Sequence, residues 1–155
     1  MENIRPTFLT VLCILTFIGS GSSIYSGITN YSSPDVSYGL VNERFDKVEE
    51  ELGNQEGTEA ISELLQSARE SITPEKIKNN GMATSLTSII TLIGAILMWG
   101  LRKTGFYVYV TGAIAAVIAP ISIFGGFTGA VASAGAAIAG ILFIILYGLN
   151  LKHLR

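Results

Sequence analysis

The chain has 155 residues, 49% of them hydrophobic and 14% charged, with a formal charge of −2 at pH 7. A mean hydropathy of +0.50, gathered into long unbroken runs, excludes an ordinary soluble domain, and the missing basic patch argues against nucleic-acid binding. The small net charge conceals a segregation: Tyr31 to Gly81 holds eleven Asp or Glu against five Lys or Arg, a net of −6, while the remainder carries +4.

The first apolar run spans about 6–30, opening with PTFLTVLCILTFI and continuing into GSGSSIYSG. Arg5, an apolar core and small residues after it match the outline of a cleaved secretory signal. No A-x-A-like site is present, and Ile24, Tyr25 and Ile28 carry the apolar stripe past the Ser and Gly cluster. A retained membrane helix is therefore expected. Cys13, the one cysteine, lies within this run, so no intramolecular disulfide can form and the residue reads as a buried small hydrophobe.

The acidic segment 31–81 follows. Val41, Phe45, Val48 and Leu52 recur at helical spacing among Glu and Lys, predicting an amphipathic helix over Leu40 to Leu52 that Gly53 and Asn54 end. A second helix is predicted from Thr58 to about Ile72, with Ile61, Leu64, Leu65, Ala68 and Ile72 on one face. Thr73 and Pro74 then read as N-cap and first helical residue of a new helix, and Asn79-Asn80-Gly81 as a break before the next span. Two short helices cannot bury both stripes by themselves. The Glu-rich faces disfavour an anionic lipid surface, leaving the outer ends of the spans, or a partner protein docked on the Val41 to Leu52 stripe. Asn30-Tyr31-Ser32 fits the N-glycosylation pattern, close against the membrane.

Three further spans are predicted at about 83–101, 104–124 and 128–149, each close to the ~20 residues that cross ~30 Å of hydrocarbon. Arg102 and Lys103 mark a tight hairpin between the second and third, and FGGFTG joins the third to the fourth. Pro120 should kink the third span near its outer end. Small residues recur at helical spacing as Gly19, Ser23 and Gly27 in the first span and Gly129, Ser133 and Ala137 in the fourth, beside Ala136 and Gly140. Such faces let helix backbones approach closely in lipid. Thr84, Thr87, Ser88 and Thr91 form a hydroxyl stripe on the second span; hydroxyls bonded to their own or a neighbouring helix are the commoner use, a polar path the rarer one.

Arg5, the Arg102 and Lys103 pair, and the Lys152 and Arg155 tail all fall on one side of a four-span arrangement, which the positive-inside rule makes cytoplasmic. Both termini are then expected inside and the acidic segment outside. Trp99, Phe106, Tyr107, Tyr109 and Tyr147 read as an inner aromatic belt, and Tyr25, Tyr31, Phe124 and Phe127 as an outer one.

No ionisable residue falls in the middle of a span, which argues against a proton- or ion-coupled transporter. His153 is the sole histidine and has no neighbouring ligand, and Glu49-Glu50-Glu51 lacks the glycine and alternating ligands of a calcium loop. No nucleophile-elbow, P-loop, dinucleotide or HExxH pattern appears. A non-enzymatic protein is expected, with no catalytic, cofactor-binding or metal-ligating residue.

The opening RPTFLTVLCILTFIGSG and the hairpin WGLRKTGFYVYVTGAIAAVIAP resemble small four-span bacterial inner-membrane proteins of unassigned activity. The resemblance covers about a quarter of the chain, and implies a Gram-negative inner membrane with the acidic segment in the periplasm. It transfers no functional residue. The outline with one large outer loop is also similar to that of claudin-like proteins, whose paired loop cysteines and Trp-containing loop motif are absent here. The fold expected is all-α: an integral membrane four-helix bundle with a small helical extracytoplasmic segment between spans 1 and 2. The role expected is a scaffold or accessory subunit of a larger membrane complex. The alternative is an oligomeric pore lined by the hydroxyl stripe. Its partners would be the lipid bilayer and either another membrane protein or further copies of itself.

Overall fold

The computed structural model describes residues 6–53, 57–151 and 154. Arg5, Asn54, Lys152, His153 and Arg155, which figure in the topology, the helix stop and the tail, lie outside the described residues. The elements are α1 (Thr7–Ser32), α2 (Pro34–Leu52), α3 (Glu59–Ser71), α4 (Pro74–Trp99), α5 (Thr104–Phe124) and α6 (Gly126–Leu149). Helices α1, α4, α5 and α6 are long and apolar enough to cross a membrane. The large exposed hydrophobics fit that solvent: Ile18 is 66% exposed, Ile138 71% and Leu149 67%, a surface water would penalise and lipid does not. The chain is a multi-pass, all-helical membrane protein.

Helix α1 runs without interruption through its Ser and Gly cluster. Glycine weakens a helix in water, but in hydrocarbon every backbone group must be paired internally, and the helix is the way to do it. At Ser33 the chain leaves helical geometry, and Pro34 restarts it as α2 with Asp35 in the first turn. The helix thus begins six residues before the expected Leu40, because a proline at the first helical position and an acidic first turn nucleate it ahead of the amphipathic stripe.

Thr73 caps α4 as expected, its side chain accepting from the Lys76 N–H at 3.3 Å, with Pro74 in the first turn. The expected break at Asn79-Asn80-Gly81 is absent, and α4 continues from Pro74 to Trp99. Gly81 serves contact there rather than a turn. A methyl group placed on it would lie 2.6 Å from the Gly27 carbonyl oxygen, and one on Gly27 would lie 2.7 Å from the Gly81 carbonyl oxygen, so α1 and α4 touch backbone to backbone. Gly94 and Gly105 repeat the device between α4 and α5, where an added methyl on either would meet main-chain atoms at 2.6 Å.

The turn from α4 to α5 closes with Leu101 N–H bonding the Met98 carbonyl and Arg102 N–H the Leu97 carbonyl. This is the Schellman pattern, with Leu101 at φ 61 in the left-handed position that glycine usually occupies. Its side chain packs against the inner core, which favours Leu at a strained site. Gly125, at φ 75, makes the whole connection from α5 to α6, so the fourth span starts at Gly126, two residues before the expected 128.

The spans pack in the order α1, α4, α5, α6, with extensive contact between successive members. Helices α1 and α6 meet at the end of the bundle that holds the start of α1, the α4–α5 turn and the end of α6, called the inner end for the side expected of it, where Leu9, Leu12, Cys13, Met98, Tyr109, Tyr147 and Leu154 form the buried core. Toward the other end a cavity separates the two. Helix α3 rests on α6 and α2 lies against α4, α3 and α1.

Because backbone blocks both glycine contacts, Gly27→Val and Gly94→Val are each expected to cost about 1–3 kcal/mol. Gly135→Ala, with open space around its Cβ, should stay within about 0.5 kcal/mol. Unfolding of the detergent-solubilised protein, monitored by circular dichroism, measures all three.

Candidate functional site

Where α1 and α6 part, the bundle leaves an open-sided cavity of about 220 Å³. Its polar wall consists of Thr16, Ser20 and Ser23 from α1, Thr87, Ser88 and Thr91 from α4, and Tyr109 from α5. Small residues of α6, Ala136, Ala139 and Gly140, make the opposite wall, with Phe143 below them. Of the hydroxyl stripe expected on the second span, Thr87, Ser88 and Thr91 line the cavity. Thr84 does not; its carbonyl accepts from Thr87 Oγ1 at 3.1 Å.

Most of these hydroxyls are paired. Ser20 Oγ and Thr91 Oγ1 are 3.2 Å apart across α1 and α4, and Thr91 also donates to the Ser88 carbonyl at 3.0 Å. Thr16 Oγ1 shares a 2.8 Å hydrogen bond with Tyr147 Oη, tying α1 to α6. Tyr147 is fully buried and stacks edge-on against Tyr109, with ring centroids 5.1 Å apart. These two tyrosines therefore belong to the core and not to the expected inner aromatic belt. A phenol in hydrocarbon needs a hydroxyl partner, and Thr16 supplies it for Tyr147. The Cys13 thiol donates to the Ala95 carbonyl at 3.7 Å, in keeping with the buried role expected of it. Together with Leu9, Leu12 and Met98, these side chains block the inner end of the cavity.

Thr16 and Ser20 were not picked out by the small-residue pattern, which pointed to Gly19, Ser23 and Gly27. Their signal is the spacing of four that places both on the face occupied by Ser23 and Gly27. Gly19 itself has open space around it, whereas Gly27 is clamped against Gly81. In α6, a methyl group placed on Gly129 would lie 2.6 Å from the Ile121 backbone, and Ser133 bonds its own helix through the Ala130 carbonyl. Pro120 is buried inside α5 beside this contact.

The second candidate surface is the acidic outer segment. No residue of α2 is buried, and Val36, Leu40 and Val48 are exposed. Phe45 turns instead toward α3, lining with Ile61, Leu64, Leu65, Ala68 and Ile72 a groove of about 330 Å³ against Phe127, Thr128, Val131 and Ala132 at the outer end of α6. Arg69 binds α3 to α2 through Asp46, approaches Glu49 at 3.9 Å and lies over the Phe45 ring. Lys47 pairs with Glu43 at 2.8 Å, and that hydrogen bond, with the attraction of the two charges, holds the Glu43 carboxyl below its ordinary range. The stabilisation belongs to pH above the carboxylate range and fades as pH falls through it. Glu49, Glu50 and Glu51 are exposed, and no group of acidic or sulfur and imidazole ligands suited to a metal occurs among the described residues. Asn30 is engaged rather than free, its Oδ1 accepting from Ser37 Oγ at 2.8 Å.

No family model, curated protein or solved structure matches the chain. Its own geometry carries the functional reading.

The Thr16 to Tyr147 bond makes a defined energetic claim. Tyr147→Phe and Thr16→Val are each expected to destabilise the bundle, with a coupling of about 0.6 kcal/mol in a double-mutant cycle, the usual size for a hydroxyl bond between membrane helices. Additive single effects would show that the bond adds nothing to packing.

Proposed function

We propose that this is a non-enzymatic membrane protein that serves as an accessory or scaffold subunit, docking a partner membrane protein on its acidic outer helices. The observation that carries this reading is α2: a 19-residue amphipathic helix with no buried residue. It rests against α4, α3 and α1, and leaves Val36, Leu40 and Val48 uncovered. The segment's charge of −6 selects a partner with a basic outer surface, since complementary potential steers encounter and suppresses wrong partners. Bacterial inner-membrane location follows from the resemblance alone. Cytoplasmic termini are supported by convergence of the start of α1, the Arg102 and Lys103 turn and the end of α6 at one end of the bundle.

The pore reading draws on the same hydroxyls, yet these face a cavity within one chain whose inner end is filled by buried side chains. A path would have to run through each bundle, not between copies, and would need that plug to move.

Affinity purification in mild detergent, followed by intact-mass analysis, tests the docking reading. A stoichiometric partner should be retained by the native chain and released by Val36→Asp with Leu40→Asp. Its retention should also weaken as ionic strength rises and the Debye length falls from about 10 Å at 0.1 M toward about 3 Å at 1 M. Retention unchanged by both substitutions removes α2 as the docking face. A homo-oligomer with no partner that conducts ions in liposomes establishes the pore reading instead.

A further inference from the structure

We propose that the hydroxyl-lined cavity between α1 and α6 binds a neutral, carbonyl-bearing ring molecule dissolved in the bilayer core, the chemical type of the membrane quinones. Ser88 supplies the first argument. It is 8% exposed and lines the cavity, yet its Oγ makes no hydrogen bond among the described residues. The carbonyl four residues before it, on Thr84, already accepts from Thr87. Its Oγ is open to the cavity, where no water is expected at this depth in hydrocarbon, and a donor left unpaired there costs free energy that a ligand acceptor recovers. Ser23 is a second wall hydroxyl without a partner among the described residues.

Charge narrows the class. No Asp, Glu, Lys, Arg or His lines the cavity, so an ion or a charged headgroup would be buried without compensation. Depth narrows it again. Ser88 and Thr91 lie about 8 and about 12 Å inside the apolar run that starts at Ala83, at roughly 1.5 Å per residue, in a core ~30 Å thick. A glycerolipid would have to drag its head that far from the interface, whereas a molecule that resides in hydrocarbon is already there.

Access and shape agree with a ring. The gap between α1 and α6 opens toward lipid, with Leu15 and Ala139 exposed at its edges. Tyr109 and Phe143 are among the lining residues, and aromatic side chains favour contact with a planar ring. A volume of about 220 Å³ accommodates a ring and leaves an aliphatic tail in the bilayer.

The test uses the full chain in detergent, decylubiquinone as probe, and quenching of Trp99, the only tryptophan. Decylbenzene, which lacks carbonyls, is the matched control. Native protein should show saturable quenching, with decylbenzene competing poorly. Ser88→Ala should raise Kd about fivefold, the worth of one hydrogen bond, while Ser26→Ala, exposed on α1, leaves it unchanged. Thermal unfolding checks that each variant folds. Should Ser88→Ala not fold, Gly19→Leu decides by the same criterion, since its Cβ meets nothing within 4 Å and its side chain narrows the mouth. Quenching that rises linearly without saturation, equal competition by decylbenzene, or a Kd within about twofold of native in the deciding variant overturns the proposal.

Discussion

Backbone contact at glycine organises this molecule. Helices in lipid gain nothing from hiding apolar surface from one another, because the surrounding chains are just as apolar; close packing has to supply the attraction. Helix α4 obtains it on two sides, from Gly27 of α1 against Gly81 near its outer end and from Gly105 of α5 against Gly94 further in. With two flanks taken, α4 becomes the centre of the bundle and α6 is left to pack on α5. Such contacts are short-ranged and tolerate no added atom, which is why the arrangement is specific despite an almost featureless apolar exterior.

The cavity is a consequence of that order. Helix α6 is anchored to α5 at Gly129 and approaches Ala113 at Gly140, where an added methyl would still have ordinary contact at 3.5 Å. It reaches α1 at one end of the bundle, where Tyr147 bonds Thr16 and packs among Leu9, Leu12 and Cys13. The gap keeps one hydroxyl-bearing wall from α1 and α4, where Ser20 pairs with Thr91, and one apolar wall of small residues from α6.

The membrane architecture was legible from the sequence because it rests on run length and the exclusion of charge, and both are local. The four spans, the Thr73 cap with Pro74 behind it, and the buried Cys13 follow from such signals. Gly81 was not legible: beside two asparagines it has the chemistry of a turn, and only the facing glycine on a helix some fifty residues earlier turns it into a packing site. Tyr109 and Tyr147 mislead for a related reason. Tyrosine near a membrane boundary ordinarily belongs to the interface; here Tyr147 turns inward to the Thr16 hydroxyl of α1, and Tyr109 packs edge-on against the Tyr147 ring. Sequence pattern identifies which residues can enter a lipid-embedded core; it does not identify which will find partners there.

The outer helices obey different rules from the spans, and the difference bears on what they are for. Their solvent is water, so apolar burial is favourable, and α3 takes advantage of it by setting Ala68 and Ile72 against α6 with Phe45. Helix α2 does so only through residues such as Phe45, and its remaining apolar positions gain nothing where they stand. Were α2 only a spacer, polar residues would serve at Val36, Leu40 and Val48 at no cost to the bundle, whose contacts with α2 are few beside those among the spans. Exposed apolar side chains among carboxylates, on a helix that contributes little to the bundle, are what the docking role proposed for α2 requires: apolar contact for affinity and like charge around it to reject an acidic partner.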